Sequence, residues 1–133
     1  MVIPMSKTTL GLDENIEGLL CYLLGAITGV LFLILEKESD FVKFHAMQSI
    51  LISLSFIIVS MVLVIVGMIV ASMVILFPPI IIILGILGPI GVLINLAGLA
   101  LLIFGMYKAY QGERYKFPIF GDITEDLLKK INI

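Results

Sequence analysis

Between Phe44 and Tyr107 the chain has no aspartate, glutamate, lysine or arginine, a gap of 64 residues. That absence excludes a soluble fold, because no globular domain could wrap such a run and still solvate itself. As one straight helix the run would be about 96 Å long, against a hydrocarbon core of about 30 Å. It must therefore cross a membrane more than once. The same absence argues against ion-coupled transporters and proton pumps, which need ionisable groups inside the bilayer.

Other residue types are nearly missing. Cys21 is the one cysteine, so no disulfide can form within the chain and the compartment stays unread. His45 is the one histidine. The nearest acids, Glu38 and Asp40, lie outside the apolar run, which leaves a metal site short of ligands. A Ser/His/Asp arrangement lacks a nameable third group and an oxyanion hole. No catalytic residue, metal or cofactor is expected, and the chain reads as a non-enzyme. Basic residues are no excess either: 8 Lys and Arg face 10 Asp and Glu, which speaks against a nucleic-acid partner. Met1–Met5 lack the basic lead and short apolar core of a cleavable signal, so the first apolar segment is expected to stay in the mature protein.

What is present is apolar. Hydrophobic residues make up 61% and charged ones 14%, where a globular protein has about 25% charged. The pattern predicts an all-α membrane protein, a single polytopic domain over residues 1–133. Three transmembrane helices are expected at about 16–35, 44–77 and 80–108, with a tail over 109–133. Glu17 falls in the first turn of the first helix, within reach of the headgroups. Gly18, Cys21, Gly25 and Gly29 share a face there, and Gly25–Gly29 fits the small-xxx-small spacing of close helix contacts. In the second helix Ala46, Ser49, Ser53, Ser60, Gly67 and Ala71 line one face in the same way. Pro78-Pro79 marks the turn into the third segment. Gly88-Pro89 interrupts that segment again: either the helix kinks, or Pro79–Gly88 is a half-helix and Ile90–Lys108 the full crossing. Its inner face reads Gly91, Asn95, Gly98, Gly105.

Past Tyr107 the chain turns polar. Asp122-Ile123-Thr124-Glu125 resembles a capping box, and Ile123, Leu127, Leu128 and Ile131 form an apolar stripe. A short C-terminal amphipathic helix follows, lying on the membrane surface or on the loop after the first helix. With three crossings, the 36–43 loop and the tail share a side and hold seven of the eight basic residues, leaving Lys7 opposite. The positive-inside rule then puts the tail in the cytoplasm of a multi-pass plasma-membrane protein and the N-terminus outside.

The densest polar cluster beside the apolar region is His45, Gln48 and Ser49, at the start of the second helix. A ligand or proton-carrying role for His45 competes with a plainer reading, a hydrogen-bonded collar joining that helix to the loop or the tail. The plainer reading is preferred, since polar groups are cheap at helix ends and costly at depth. The loop acid Glu36 or Glu38 is the expected partner of Arg114 or Lys116 across the same interface, with His45 and Gln48 bonding the returning backbone near 118–122. Asn95, deep in the run, either lines a pore or bonds a neighbouring helix. Tyr107, Tyr110 and Tyr115, with Lys108, read as headgroup anchors.

Two stretches carry a resemblance. The first is Gly18-Leu19-Leu20-Cys21-Tyr22-Leu23-Leu24-Gly25 with Leu35-Glu36-Lys37-Glu38 and Phe41–Ser49. The second is Tyr107–Lys116 with Pro118-Ile119-Phe120-Gly121-Asp122. Together they resemble a family of small, uncharacterised prokaryotic membrane proteins similar to the membrane domain of a chloroplast inner-envelope import subunit (Tic-twenty-like). The resemblance implies a polytopic helical fold and a role near protein translocation or membrane-protein assembly. It carries over no mechanism. The import subunit is drawn with four spanning helices, where the hydropathy here gives three.

The leading expectation is a non-enzymatic membrane protein that acts through helix–helix contacts. Its partners are the lipid bilayer and either further copies of itself or other membrane proteins. The alternative is an oligomeric pore or carrier for a small solute, assembled around Gly91, Asn95 and Gly98. Which way Asn95 faces separates the two.

Overall fold

The computed structural model describes residues 6–132, so the signal-peptide reading of Met1–Met5 lies outside the described residues. Among them the regular structure is helical apart from one isolated bridge, Lys7 to Asp13. Five α-helices follow in order: α1 (Glu14–Leu23), α2 (Ala26–Leu35), α3 (Asp40–Met73), α4 (Ile81–Tyr110) and α5 (Phe120–Ile131). The chain divides into two compact units. One holds the chain up to Leu54 and from Ala100 onward, and the other is Ser55–Leu99.

Among the described residues two helices are long and apolar enough to cross a membrane: α3, with 34 residues, and α4 with the 3-10 turn that leads into it, together Pro78–Tyr110. At about 1.5 Å per residue, α3 is about 51 Å long, well beyond one perpendicular crossing. It starts four residues before the expected Phe44 and stops at Met73, short of the prolines. Pro78-Pro79 opens the 3-10 turn Pro78–Ile80, where missing N–H groups cost nothing. Helix α4 then runs unbroken past Pro89, so the half-helix alternative falls. Proline removes one intrahelical bond there, a loss that apolar membrane helices tolerate.

The first apolar segment departs from expectation. It is not one spanning helix over 16–35 but two ten-residue helices broken at Leu24-Gly25. Each is about 15 Å long, roughly half a bilayer core. The break turns the chain back. Along α1 the partners on α3 climb, with Gly18 on Phe41, Tyr22 on His45 and Gly25 on Ser53. Along α2 they descend, with Gly29 on Ala46 and Ile50, then Leu33 against the cluster of Phe44, Met47 and Leu128. So α1 and α2 form a hairpin that returns to the side it left.

The cause is local and tertiary together. Gly25 adopts φ 60°, ψ −122°, a region essentially restricted to glycine. A broken helix strands carbonyls, and two hydroxyls answer them. Thr28 Oγ1 donates to Cys21 O at 2.9 Å and accepts the Leu24 N–H. The Ser49 hydroxyl lies 2.7 Å from Cys21 O and 2.9 Å from Gly25 O. Irregular backbone survives at such a position only when protein groups satisfy it. Leu23, Leu24, Ile27 and Ile34 point outward, an apolar surface suited to lipid.

The hairpin reverses one topological expectation. Thr9 N and Oγ1 donate to Glu36 at 2.9 and 2.8 Å, and the Asn15 amide donates to Tyr110 O at 3.1 Å. Residues 6–13, the 36–39 loop and the tail therefore lie together, and the N-terminal segment is not opposite the tail. All eight basic and all ten acidic residues belong to the unit they share.

Helix α5 begins at Phe120, two residues before the expected cap. Its N-cap is Ile119 at φ 72°, with no side-chain cap bond, so the capping box does not form. Thr124 and Leu128 are buried, and Leu127 and Leu128 pack on Phe44 and Met47. Ile123 and Ile131 remain exposed. Only part of the predicted stripe thus faces protein.

Candidate functional site

The polar residues at the start of α3 form a closed network with α1 and the tail. Tyr22, His45 and Gln48 are fully buried. The Tyr22 hydroxyl lies 3.0 Å from His45 Nδ1, and Gln48 Nε2 donates to the same hydroxyl at 3.0 Å. His45 Nε2 sits 3.1 Å from the Glu113 carbonyl, which can only accept. The imidazole therefore carries its proton on Nε2, and Nδ1 accepts from tyrosine. Gln48 uses its remaining capacity on the tail: Nε2 donates to Tyr115 O at 3.0 Å, and Oε1 accepts the Phe117 N–H at 3.3 Å. Every polar atom of the hub has a partner, and a fully satisfied buried network rigidifies the packing around it.

The tail is thus held at residues 113–117, upstream of the expected 118–122. Around it Phe104, Tyr115 and Phe117 pack edge to face. Lys108 bonds Glu113 at 2.8 Å above the Phe104 and Tyr115 rings. Tyr107 and Tyr110 stay exposed, whereas Tyr115 belongs to this cluster.

The predicted ion pairs of the tail do not form as expected. Arg114 stacks its guanidinium 4.4 Å from the Phe44 ring centre. Lys116 pairs with Glu125 at 2.9 Å and Asp122 at 3.5 Å. Glu36 is buried, and its carboxylate accepts the Thr9 hydroxyl and the N–H groups of Thr9, Glu38 and Ser39. Burial pushes the Glu36 carboxyl up, but these bonds outweigh it and leave it below the usual carboxylate range. It caps the start of α3 and the returning N-terminal segment, and among the described residues no tail cation lies at ion-pair distance from it.

Sequence reasoning placed Glu17 at the headgroups, but it is fully buried and neither carboxylate oxygen has a hydrogen-bond partner. Thr8 and Glu36 lie beside it without completing a bond. Burial pushes this carboxyl up, and the Glu36 charge adds to the shift. Tyr22 was also missed as a site residue. Its signal was a lone hydroxyl on the Gly18–Gly25–Gly29 face.

The small residues divide by role. A Cβ on Gly18 would come within 2.9 Å of Phe41, on Gly29 within 2.8 Å of Ala46 O, and on Gly98 within 2.7 Å of the Phe56 ring. These are contact positions. Ser53 lies under Gly25, its hydroxyl without a partner. Gly67 meets nothing within 4 Å, and Gly91 only Leu63 at 3.9 Å. Both line an open groove of about 600 Å³ walled by Leu63, Leu84, Leu87 and Leu99. At its edge Ser60 donates to Asn95 Oδ1 at 3.1 Å, and Asn95 Nδ2 donates to Gly91 O at 2.8 Å. Among the described residues no three His, Cys, Asp or Glu side chains assemble as a metal site.

Fold and hub define a small all-helical membrane protein whose N-terminal hairpin and C-terminal tail are tied to the start of its first long helix. The model of the magnetosome magnetite crystal formation protein family matches residues 13–124, and the chain belongs to that family. It is 51% identical over 124 residues to a UPF0132 membrane protein of Methanocaldococcus jannaschii, covering 93% of this chain and 96% of the relative. A second UPF0132 membrane protein of that organism is 49% identical over 117 residues, 87% of this chain and 71% of its own length. One from Archaeoglobus fulgidus is 42% identical, with 86% and 94% covered. No solved structure matches significantly. These names say membrane protein, and none of them says import subunit.

Proposed function

We propose that the protein is a non-enzymatic scaffold of the membrane, acting through helix contacts with copies of itself or with other membrane proteins. The observation that carries this reading is the use of Asn95. Its side chain bridges Ser60 of α3 and the Gly91 carbonyl of its own helix, the interhelical bond expected of a helix-contact residue. Of the other two proposed pore residues, Gly98 is covered by the Phe56 ring, while Gly91 lines the open groove. The family description names magnetosome magnetite crystal formation. The part of that role suited to this chain is organising a membrane through its helix contacts. The translocation role rests on the resemblance of the two motifs alone and is the narrower version of the same proposal.

The same reading gives an orientation. With every basic residue in one unit, the positive-inside rule places the N-terminal segment, the 36–39 loop and the tail together in the cytoplasm. The decisive experiment is purification in mild detergent, with the oligomeric mass measured and co-purifying chains identified, beside solute flux in proteoliposomes. A defined oligomer or stable partner without flux is expected. Flux that disappears in Asn95→Leu would overturn the scaffold reading in favour of a pore.

A further inference from the structure

We propose that a cleft between the start of α3, the tail and α5 binds the phosphate of an anionic phospholipid headgroup. The cleft has a volume of about 390 Å³ and is lined by Asp40, Lys43, Arg114, Glu125, Leu128 and Lys129, with Asn132 at its rim. Three separate elements each bring a cation to it. Lys43 is nine-tenths buried, and its ammonium bonds only the Lys37 carbonyl, at 2.7 Å. Arg114 is steered over Phe44. Lys129 comes from the last turn of α5. Among the described residues none of the three has a carboxylate at ion-pair distance.

The two acids in the cleft do not cancel them. Glu125 is held by Lys116 at 2.9 Å and also feels Arg114 and Lys129, but the three cations of the cleft still outnumber its two acids. A buried lysine without a counter-charge is costly, and an anion seated between the three cations removes that cost. Arg114 suits a phosphate because its planar fork can give two parallel bonds.

The lipid source follows from where the cleft lies along the chain. Lys43 is the last charged residue before the uncharged run that begins at Phe44, so the cleft marks the boundary between headgroups and hydrocarbon. Leu128 forms one wall and Ile131 is exposed nearby, apolar surface of the kind an acyl chain would cover. Basic pockets at this level are a recurrent way to hold anionic lipid.

The test uses the full chain in dodecyl maltoside, with thermal unfolding followed against increasing dihexanoyl phosphatidylglycerol, dihexanoylglycerol or inorganic phosphate. The phosphatidylglycerol should raise the midpoint in a saturable way and the phosphate-free glyceride should not. Arg114→Gln and Lys129→Gln should each weaken the apparent affinity by about tenfold, one charged hydrogen bond's worth. Lys130→Gln, outside the cleft, should leave it unchanged. Lys129→Gln guards against a folding defect, since that residue is exposed. The proposal fails if the glyceride stabilises as well as the phospholipid, or if both cleft variants bind like Lys130→Gln. Inorganic phosphate acting at the same concentrations would overturn the lipid assignment.

Discussion

Replacing Gln48 with leucine removes the side chain that ties the tail to α3. Three hydrogen bonds go with it: to the Tyr22 hydroxyl, to Tyr115 O and from the Phe117 N–H. Tyr22 keeps His45 as a partner, but the Tyr115 carbonyl and the buried Phe117 amide are orphaned. A buried group without its partner costs about 1–3 kcal/mol. Two such groups, partly offset by the apolar gain of leucine, imply a loss of about 3 kcal/mol. Against a total of about 5–15 kcal/mol for a domain, that is a large share. Local opening of residues 113–117 should become about a hundredfold more frequent, since 1.4 kcal/mol is a factor of about ten. The measurement is hydrogen exchange at the Phe117 amide together with tryptic cleavage after Arg114 and Lys116, in detergent. Gln111→Leu is the control, because Gln111 is exposed and bonds only the Tyr107 hydroxyl. If Gln48→Leu exchanges and is cut no faster than that control, the hub does not hold the tail.

The glycines should separate cleanly. Gly25→Ala should lower the unfolding midpoint, at a cost of about 1–3 kcal/mol for the strained backbone alone. Gly67→Ala, with open space around it, should be neutral or stabilising by up to about 1 kcal/mol, and equal midpoints for the two would remove Gly25 as the cause of the hairpin. Glu17 gives a pH signature. Its folded carboxyl is raised above the ordinary 4.5, so the native state binds the extra proton and stability falls as pH rises from 4.5 through the folded value. Glu17→Gln should therefore stabilise the chain most at alkaline pH, with the advantage shrinking towards pH 5. Glu36, with its lowered value, acts in the opposite sense and only below 4.5, so a Glu17→Gln advantage that grows on acidification would contradict the assignment. For topology, cysteines at Lys7, Lys37 and Lys130 should all escape an impermeant reagent on intact cells, whereas one at Ile75 should react. Labelling of the Lys7 position alone would restore the three-crossing arrangement.

What the sequence determined by itself are properties set by neighbours along the chain. Membrane residence follows from the uncharged run, and the spans of α3 and α4 follow from its length and from Pro78-Pro79. The polar cluster at His45 and Gln48 was visible because polar side chains at the edge of an apolar run must find partners. Which partners they found was not visible. The Tyr22 hydroxyl is 23 residues from His45, and the tail carbonyls and amide are 67 to 69 residues away.

The hairpin shows the limit most plainly. Residues 16–35 are as long and apolar as a crossing needs, and local hydropathy does not distinguish a helix that spans from one that turns back. The Ser49 and Thr28 hydroxyls that satisfy the broken end, and the contacts of Gly18 and Gly29 with α3, decide between them. That choice changes the number of crossings, the side on which Lys7 lies and the burial of Glu17. Only the tertiary structure could make it, because the energy that separates the two states lies in contacts between residues distant in sequence.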